Sequence, residues 1–280
     1  MSENLKKHLA KLSKRGPHRV LVGSLEYAGI QGKVYTPAEG DGVPGVAFGH
    51  DWLKGIDKYH ATLRHLASWG IAVAAPDTER GFLPDHRGLA ADLESCLQIL
   101  AGVRLGQGNV TVNPGKLGLA GHGMGAGAAI LTATGNTKAH AVGALFPADT
   151  TPSAEAAARY LSIPGLIIGT ADKGIVEAGN PAKVAYNWAG PVAYRELENL
   201  KQQGFPEDTA FKLIAGLGRP QTAGQETARG LLTGFFLHQL AGENKYEGFS
   251  APAAEAKKVV SYTGDELAEK AGVPQEQPAH

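Results

Sequence analysis

Three features are scarce in this sequence of 280 residues: cysteine, net charge and long apolar runs. The single cysteine, Cys96, excludes an intrachain disulfide and a cysteine-clustered metal site, and we predict neither metal nor cofactor. Basic and acidic side chains both number 27, so no overall field attracts nucleic acid or steers an anionic substrate. We therefore expect no nucleic-acid partner, and any other partner must be sought in local features.

No apolar stretch approaches the length of a membrane span, and the first residues lack the apolar core of a secretory signal. We expect a cytoplasmic protein without a transmembrane segment. A hydrophobic fraction of 43% is enough for one large buried core, which favours a single main domain.

Composition divides the chain into residues 1–19, 20–250 and 251–280. The first part places three leucines on one helical face among lysines and arginines, which predicts a basic amphipathic helix. Docking on its own domain, or simple solvation, is favoured over a membrane-surface role because three leucines are few. The last part is too poor in apolar residues to offset its ordering entropy, which predicts a mobile polar tail with one helix at 264–271.

Strands and helices alternate through the middle part. Residues 19–37 predict antiparallel strands, and a turn is expected at 38–45. Further strands are predicted at 46–48, 71–75, 117–120, 141–146, 166–169 and 211–214, and helices at 57–69, 84–103 and 225–240. The later strands are apolar on both faces, which favours an α/β fold with a mostly parallel central sheet covered by helices on both faces.

The most informative segment is KLGLAGHGMGAGAA, residues 116–129, whose pattern predicts a strand, a sharp turn and a helix. Gly121 and Gly125 have the spacing of the G-x-S-x-G nucleophile elbow, in which a tight turn raises a serine hydroxyl above the sheet. The two glycines let strand and helix pass close together whether or not a nucleophile lies between them. Position 123 is glycine, so the turn is retained and the hydroxyl is missing.

Residues 25–249 resemble the α/β-hydrolases of the dienelactone hydrolase and cutinase-like polyester hydrolase type. Besides the glycine segment, the resemblance rests on VAFGHDW (46–52), LASWGIAVAAPDT (66–78), LPDHRGLAADL (83–93), IPGLIIGTAD (163–172) and NKYEGF (244–249). It implies an α/β-hydrolase fold. Acyl transfer on that fold needs a nucleophile, a histidine base, an acid that orients the base, and two backbone donors for the oxyanion.

The resemblance assigns these roles to particular positions. Asp172 retains the acid, and the backbone amides of His50 and Met124 would form the oxyanion hole. The nucleophile position, Gly123, has no reactive atom. The base position is Arg219, which cannot accept a proton near neutral pH. The sequence therefore predicts a pseudo-hydrolase that has lost Ser-His-Asp esterase catalysis.

A binding role is the expected replacement for catalysis. If Arg219 pointed inward, its guanidinium, the oxyanion amides and a helix N-terminus would form a site for an acyl or carboxylate ligand. A structural salt bridge between Arg219 and Asp172 is the favoured alternative. His50, Asp51 and His122 are further possible ligand-binding residues, although a structural role is favoured for His122. A protein partner is the other possibility.

Two other functions stay open. An unconventional carboxylic-ester hydrolase could use His50 or His122 to activate water, with Asp51 or Asp77 beside it, but it would forfeit the two-step route through a covalent intermediate.

The second alternative is a dinucleotide-binding protein, because GHGMGA also satisfies G-x-G-x-x-G/A between a strand and a helix, with Asp149 beyond the next strand. The late position of the motif and the distance to Asp149 count against it.

Overall fold

A computed structural model of the chain describes residues 2–135, 138–171, 179–207 and 221–273. The strands of these ranges are β1 Val20–Ser24, β2 Gly32–Pro37, β3 Gly40–Gly49, β4 Ala72–Pro76, β5 Val110–His122, β6 Ala139–Leu145, β7 Gly165–Thr170, β8 Val192–Leu197 and β9 Val259–Ser261. The α-helices are α1 Ser2–Leu12, α2 His60–Ser68, α3 His86–Gly102, α4 Met124–Gly135, α5 Ala154–Ala157, α6 Pro181–Asn187, α7 Thr222–Gln239 and α8 Gly264–Ala271.

The strands form one sheet in the order β1-β2-β4-β3-β5-β6-β7-β8-β9. All neighbouring pairs from β4 to β8 in this order are parallel, whereas β1/β2, β2/β4 and β8/β9 are antiparallel. Two apolar cores lie on opposite faces of the sheet, one beneath α1, α2 and α7 and the other beneath α3, α4, α6 and α8. The expected α/β architecture with a mostly parallel sheet, an antiparallel start and helices on both faces is confirmed.

The amino-terminal helix α1 docks on its own domain. Leu5, Leu9 and Leu12 are buried in the core, where α1 contacts α7 and the short 3₁₀ turn at 244–249. The apolar face that a membrane-surface helix would insert into lipid is therefore occupied by the protein itself.

Residues 251–273 differ from the mobile tail that the composition of the carboxyl-terminal part predicts, and the rest of that part lies outside the described residues. The helix expected at 264–271 is present as α8, but it packs against α6, and β9 pairs with β8. The anchor is Arg195 on β8, a fully buried side chain whose guanidinium donates to the Ser261 hydroxyl and to carbonyl oxygens between residues 248 and 254. Composition could not reveal this anchor, because Arg195 lies 59 residues before its partner Ala254.

Two further expectations differ from the structure. Residues 40–45 of the turn predicted at 38–45 form the first part of β3. Gly40 and Gly42 adopt positive φ there, and the pairing with β5 shifts register. Strand β8 was missed because Arg195 and Glu196 interrupt its apolar pattern, although both side chains are buried. The strand predicted at 211–214 lies outside the described residues.

Candidate functional site

The predicted strand, turn and helix are present where β5 meets α4. Gly123 makes the turn with a φ of +55°, a left-handed conformation that glycine adopts at little cost, and α4 begins at Met124. The turn lies at the carboxyl end of the parallel strands, beside the loop that follows β3. In open α/β sheets this is the edge at which ligands bind.

The glycines around the turn are required by contacts between backbones. A Cβ on Gly121 would lie 2.3 Å from the carbonyl carbon of Gly125, and a Cβ on Gly125 would lie 2.2 Å from the carbonyl carbon of Gly49. No side-chain rearrangement relieves such contacts. The spacing that resembles a nucleophile elbow is therefore needed for β3, β5 and α4 to approach one another, as the sequence indicated.

The space above Gly123 is occupied by the side chain of Asp51. A Cβ at position 123 would lie 2.0 Å from Asp51 Oδ1 and 2.6 Å from Oδ2. Oδ1 accepts hydrogen bonds from the backbone amides of Met124, at 2.9 Å, and Trp52, at 2.8 Å. The carboxylate thus lies at the positive end of the α4 dipole. The Met124 amide, an expected oxyanion donor, already holds an anion that belongs to the protein.

His122 is a fully buried part of the core behind this carboxylate. Its Nε2 lies 3.0 Å from the carbonyl oxygen of Gln202, so Nε2 carries the hydrogen and donates it. The Tyr59 hydroxyl accepts a hydrogen bond from the Asp51 backbone amide at 3.1 Å and donates one to His122 Nδ1 at 2.9 Å. Asp51 Oδ2 is 3.7 Å from Nδ1, too far for a hydrogen bond. The ring of Phe205 lies 5.1 Å from that of His122, so His122 packs within the core, and its structural role stays a prediction.

His50 is also fully buried, at the end of β3. Its Nδ1 lies 3.0 Å from the Asp51 carbonyl oxygen and its Nε2 lies 2.7 Å from that of Thr78. Carbonyl oxygens only accept hydrogen bonds, so a ring nitrogen that carries hydrogen donates it to the backbone of the loop after β3 or of the loop after β4. Its nitrogens are directed at the backbone of these loops instead of at the space above Gly123.

The other carboxylates considered from the sequence do not join this arrangement. Asp77 accepts from the Ile56 amide and from Arg80, both at 2.9 Å, and Asp149 is exposed after β6. Asp172 and Arg219, the expected acid and base positions, lie outside the described residues.

Backbone strain accumulates around the same edge of the sheet. In the described ranges, five residues other than glycine have positive φ, and three of them, Leu53, Glu79 and Phe146, follow β3, β4 and β6. Side chains rarely adopt this conformation, and it persists where the surrounding structure enforces it, often at binding or catalytic sites.

An apolar rim, which we define as Trp52, Leu53, Phe82 and Leu83, adjoins Asp51. Their exposed fractions range from 43% for Trp52 to 92% for Leu83. The Trp52 indole donates to the Phe82 carbonyl oxygen at 3.1 Å, and the two rings are 5.3 Å apart. No spacing in the sequence indicates this rim, because its members come from two loops separated by 30 residues.

A cavity of about 280 Å³ lies at the carboxyl ends of β7 and β8. Gln202 connects it to the turn, because its amide Nε2 lies 3.4 Å from Asp51 Oδ2. The buried Glu196 carboxylate in its wall accepts from the Tyr194 hydroxyl and the Lys270 ammonium, each at 2.9 Å. Burial lowers the pKa of Lys270, but the Glu196 carboxylate and the Tyr262 hydroxyl together raise it further, so the net shift is upward.

No protein-family model and no curated protein matched this chain. Throughout the part of the chain that the structure describes, no helix has the length and apolarity needed to cross a bilayer. In the same ranges, no three His, Cys, Asp or Glu side chains converge as they would around a metal ion. Function must therefore be argued from the geometry around Gly123.

Proposed function

We propose that this chain is an α/β-hydrolase-fold protein that binds a partner or ligand and does not hydrolyse esters by Ser-His-Asp catalysis. The glycine-spaced turn between β5 and α4 supports the fold assignment. In that fold the oxyanion donors are the amide after the turn and an amide from the loop after the third strand. The Met124 amide contacts the loop after β3 here through the side chain of Asp51, which supports this assignment.

The observation that carries the proposal is the position of the Asp51 carboxylate. It fills the space that a serine side chain at position 123 would need, and it already accepts the Met124 amide. A tetrahedral intermediate would direct its own negative oxygen at that amide. The Asp51 carboxylate and this oxyanion would repel each other strongly at the one amide, so the turn disfavours acyl transfer.

The two alternative functions have less support. Water activation by His50 or His122 would require a ring nitrogen directed at the substrate space, but both rings are held by Tyr59 or by backbone carbonyl groups. A dinucleotide would place its pyrophosphate at the N-terminus of α4, where the Asp51 carboxylate repels it.

The preferred binding mode is a protein partner on the apolar rim. Exposed aromatic and aliphatic side chains that lie together mark interaction surfaces, and tryptophan is enriched among the residues that dominate binding energy. A carboxylate or acyl ligand is the second candidate. It would have to displace Asp51 from the Met124 amide. In the cavity beside Gln202 it would contact an apolar wall that includes Phe146, but there it would compete with the Glu196 carboxylate for the Lys270 ammonium.

Labelling by a serine-directed phosphonate, combined with hydrolysis of p-nitrophenyl esters, tests the loss of catalysis. We expect no stoichiometric adduct and no turnover above that of a heat-denatured sample. A stoichiometric adduct would contradict the proposal.

Carboxylate binding is tested by the shift in melting temperature with short fatty acids. Loss of the shift in Lys270→Gln would indicate the cavity, and loss in Arg219→Ala would indicate a site at the turn. No shift in the parent protein would leave the rim as the binding surface, and Trp52→Ser would then be expected to abolish partner binding.

A further inference from the structure

A second cavity, of about 470 Å³, lies between the end of α1, helix α2 and helix α7. Four cationic side chains line it, Lys14, Arg15, Arg64 and Arg229, together with one carboxylate, Glu226. The whole chain has no net charge, so this excess of positive charge is a local feature. It is separate from the turn at Gly123 and plays no part in the function proposed above.

Three of the four cations form no close ion pair with any residue that the structure describes, although Glu226 lines the same cavity. Arg229 donates to the Glu207 carboxylate at 3.0 Å and to the Thr62 hydroxyl at 3.0 Å. The side chains of Lys14, Arg15 and Arg64 form neither a hydrogen bond nor a salt bridge with the described residues. Like charges around a concave surface repel one another, and they lower this repulsion by binding an anion.

The segment that carries Lys14 and Arg15 is held in place against α2. The Trp69 indole donates to the Lys14 carbonyl oxygen at 2.9 Å, and the Gly16 amide donates to the Ser68 hydroxyl at 2.8 Å. A Cβ on Gly16 would lie 2.2 Å from the Ser68 carbonyl oxygen, so the approach is close. The backbone that carries Lys14 and Arg15 is therefore fixed before any ligand arrives, so binding has to order only their side chains.

We propose that this cavity binds a small multivalent phosphate. Two arginines can each donate paired hydrogen bonds to phosphate oxygens, and a lysine adds a point charge. A diphosphate or triphosphate group balances three unpaired cations better than a single carboxylate does. A recessed cavity of this size suits a small ligand rather than a duplex nucleic acid, which is recognised on extended surfaces.

Inorganic pyrophosphate is the probe for this site. Its binding is measured by calorimetry and by the shift in melting temperature, with sodium chloride at equal ionic strength as the reference. We expect a stabilising shift with pyrophosphate, and about tenfold weaker binding in Arg15→Gln and in Arg64→Gln. The control is Arg159→Gln, which removes an exposed cation from the turn after α5 and should bind as the parent does.

The variants are expected to fold, because neither Arg15 nor Arg64 contributes a side-chain hydrogen bond, and unfolding by urea checks this. A pyrophosphate shift no larger than that of sodium chloride would overturn the proposal. An equal loss of affinity in Arg159→Gln would do the same, since it would indicate nonspecific attraction. The protein could also bind phosphatidylserine vesicles, and pyrophosphate could fail to displace it from them. That result would assign the cations to a membrane surface and would also refute a small-phosphate site.

Discussion

Replacing Gly123 by serine would put a side chain where the Asp51 carboxylate lies. The left-handed backbone at position 123 costs a residue with a Cβ about 1–2 kcal/mol. The contact of 2.0 Å with Asp51 Oδ1 adds an overpacking cost of about 1–3 kcal/mol, because Asp51 can move only by giving up its bonds to the Met124 and Trp52 amides. We therefore expect Gly123→Ser to lower the free energy of unfolding by roughly 2–5 kcal/mol.

A double-mutant cycle with Asp51→Ala tests the cause of this loss. Asp51→Ala alone leaves two amides without their acceptor and should cost about 1–3 kcal/mol. It also removes the clash, so the double variant should be more stable than the sum of the single changes predicts, by at least about 1 kcal/mol. Urea unfolding measures all four proteins, and Gly102→Ser, whose Cβ would meet nothing within 4 Å, is the control. Additive effects would refute the proposed contact between position 123 and Asp51.

The same variants extend the prediction to activity. With Arg219 as the base position that the resemblance implies, Gly123→Ser with Arg219→His would restore a nucleophile and a base, but Asp51 would still occupy the Met124 amide. We expect esterase activity only when Asp51→Ala is added, because members of a triad and its oxyanion hole act together. If the variant without Asp51→Ala hydrolysed esters as fast as the triple variant, this role of Asp51 would be contradicted.

Three further variants test other parts of the structure. Arg195→Met should lower the free energy of unfolding by roughly 3 kcal/mol or more, because several buried carbonyl oxygens lose their donor, and limited proteolysis should then cleave within 251–273. Burial lowers the pKa of His65 to about 4, so the folded protein takes up this proton less readily than the unfolded chain does. The contribution of this residue to the free energy of unfolding is complete above about pH 6.5. It is lost as the pH falls towards 4, by about 3 kcal/mol in all. His65→Asn should remove that part of the pH dependence of the free energy of unfolding. Gly121→Ala should prevent folding or destabilise the protein severely, because the added Cβ meets the backbone of Gly125. Gly102→Ala, the control, should be neutral or stabilising. Equal effects of the two changes on the free energy of unfolding would contradict the close contact between Gly121 and Gly125.

The turn at Gly123 could be predicted from the sequence because its cause is local. Gly121 is needed because the strand runs into the helix at such close range, and the apolar run before it marks the strand. The contact of Gly125 with Gly49 on β3 is not local, and only the spacing of the glycines indicated it. The fold class followed from the same kind of local evidence, namely apolar runs of strand length between helical periods.

The occupant of the site could not be predicted in this way. Asp51 reaches Gly123 only because of the path that the loop after β3 takes, and no spacing in the sequence encodes that path. The docked carboxyl-terminal segment depends in the same way on Arg195, a charge whose burial contradicts its usual preference. The assignments of Asp172 as the acid and Arg219 as the base position remain predictions.

The tether between Asp51 and the turn also determines how a ligand for this site must be sought. A carboxylate attached to the protein by a few bonds competes with dissolved carboxylates at an effective concentration in the millimolar range or above. A dissolved ligand with the same intrinsic affinity for the Met124 amide would show no measurable binding at micromolar concentration. Screening should therefore use Asp51→Ala as the bait, and a compound that binds this variant but not the parent would identify which molecules the turn could hold once the internal competitor is removed.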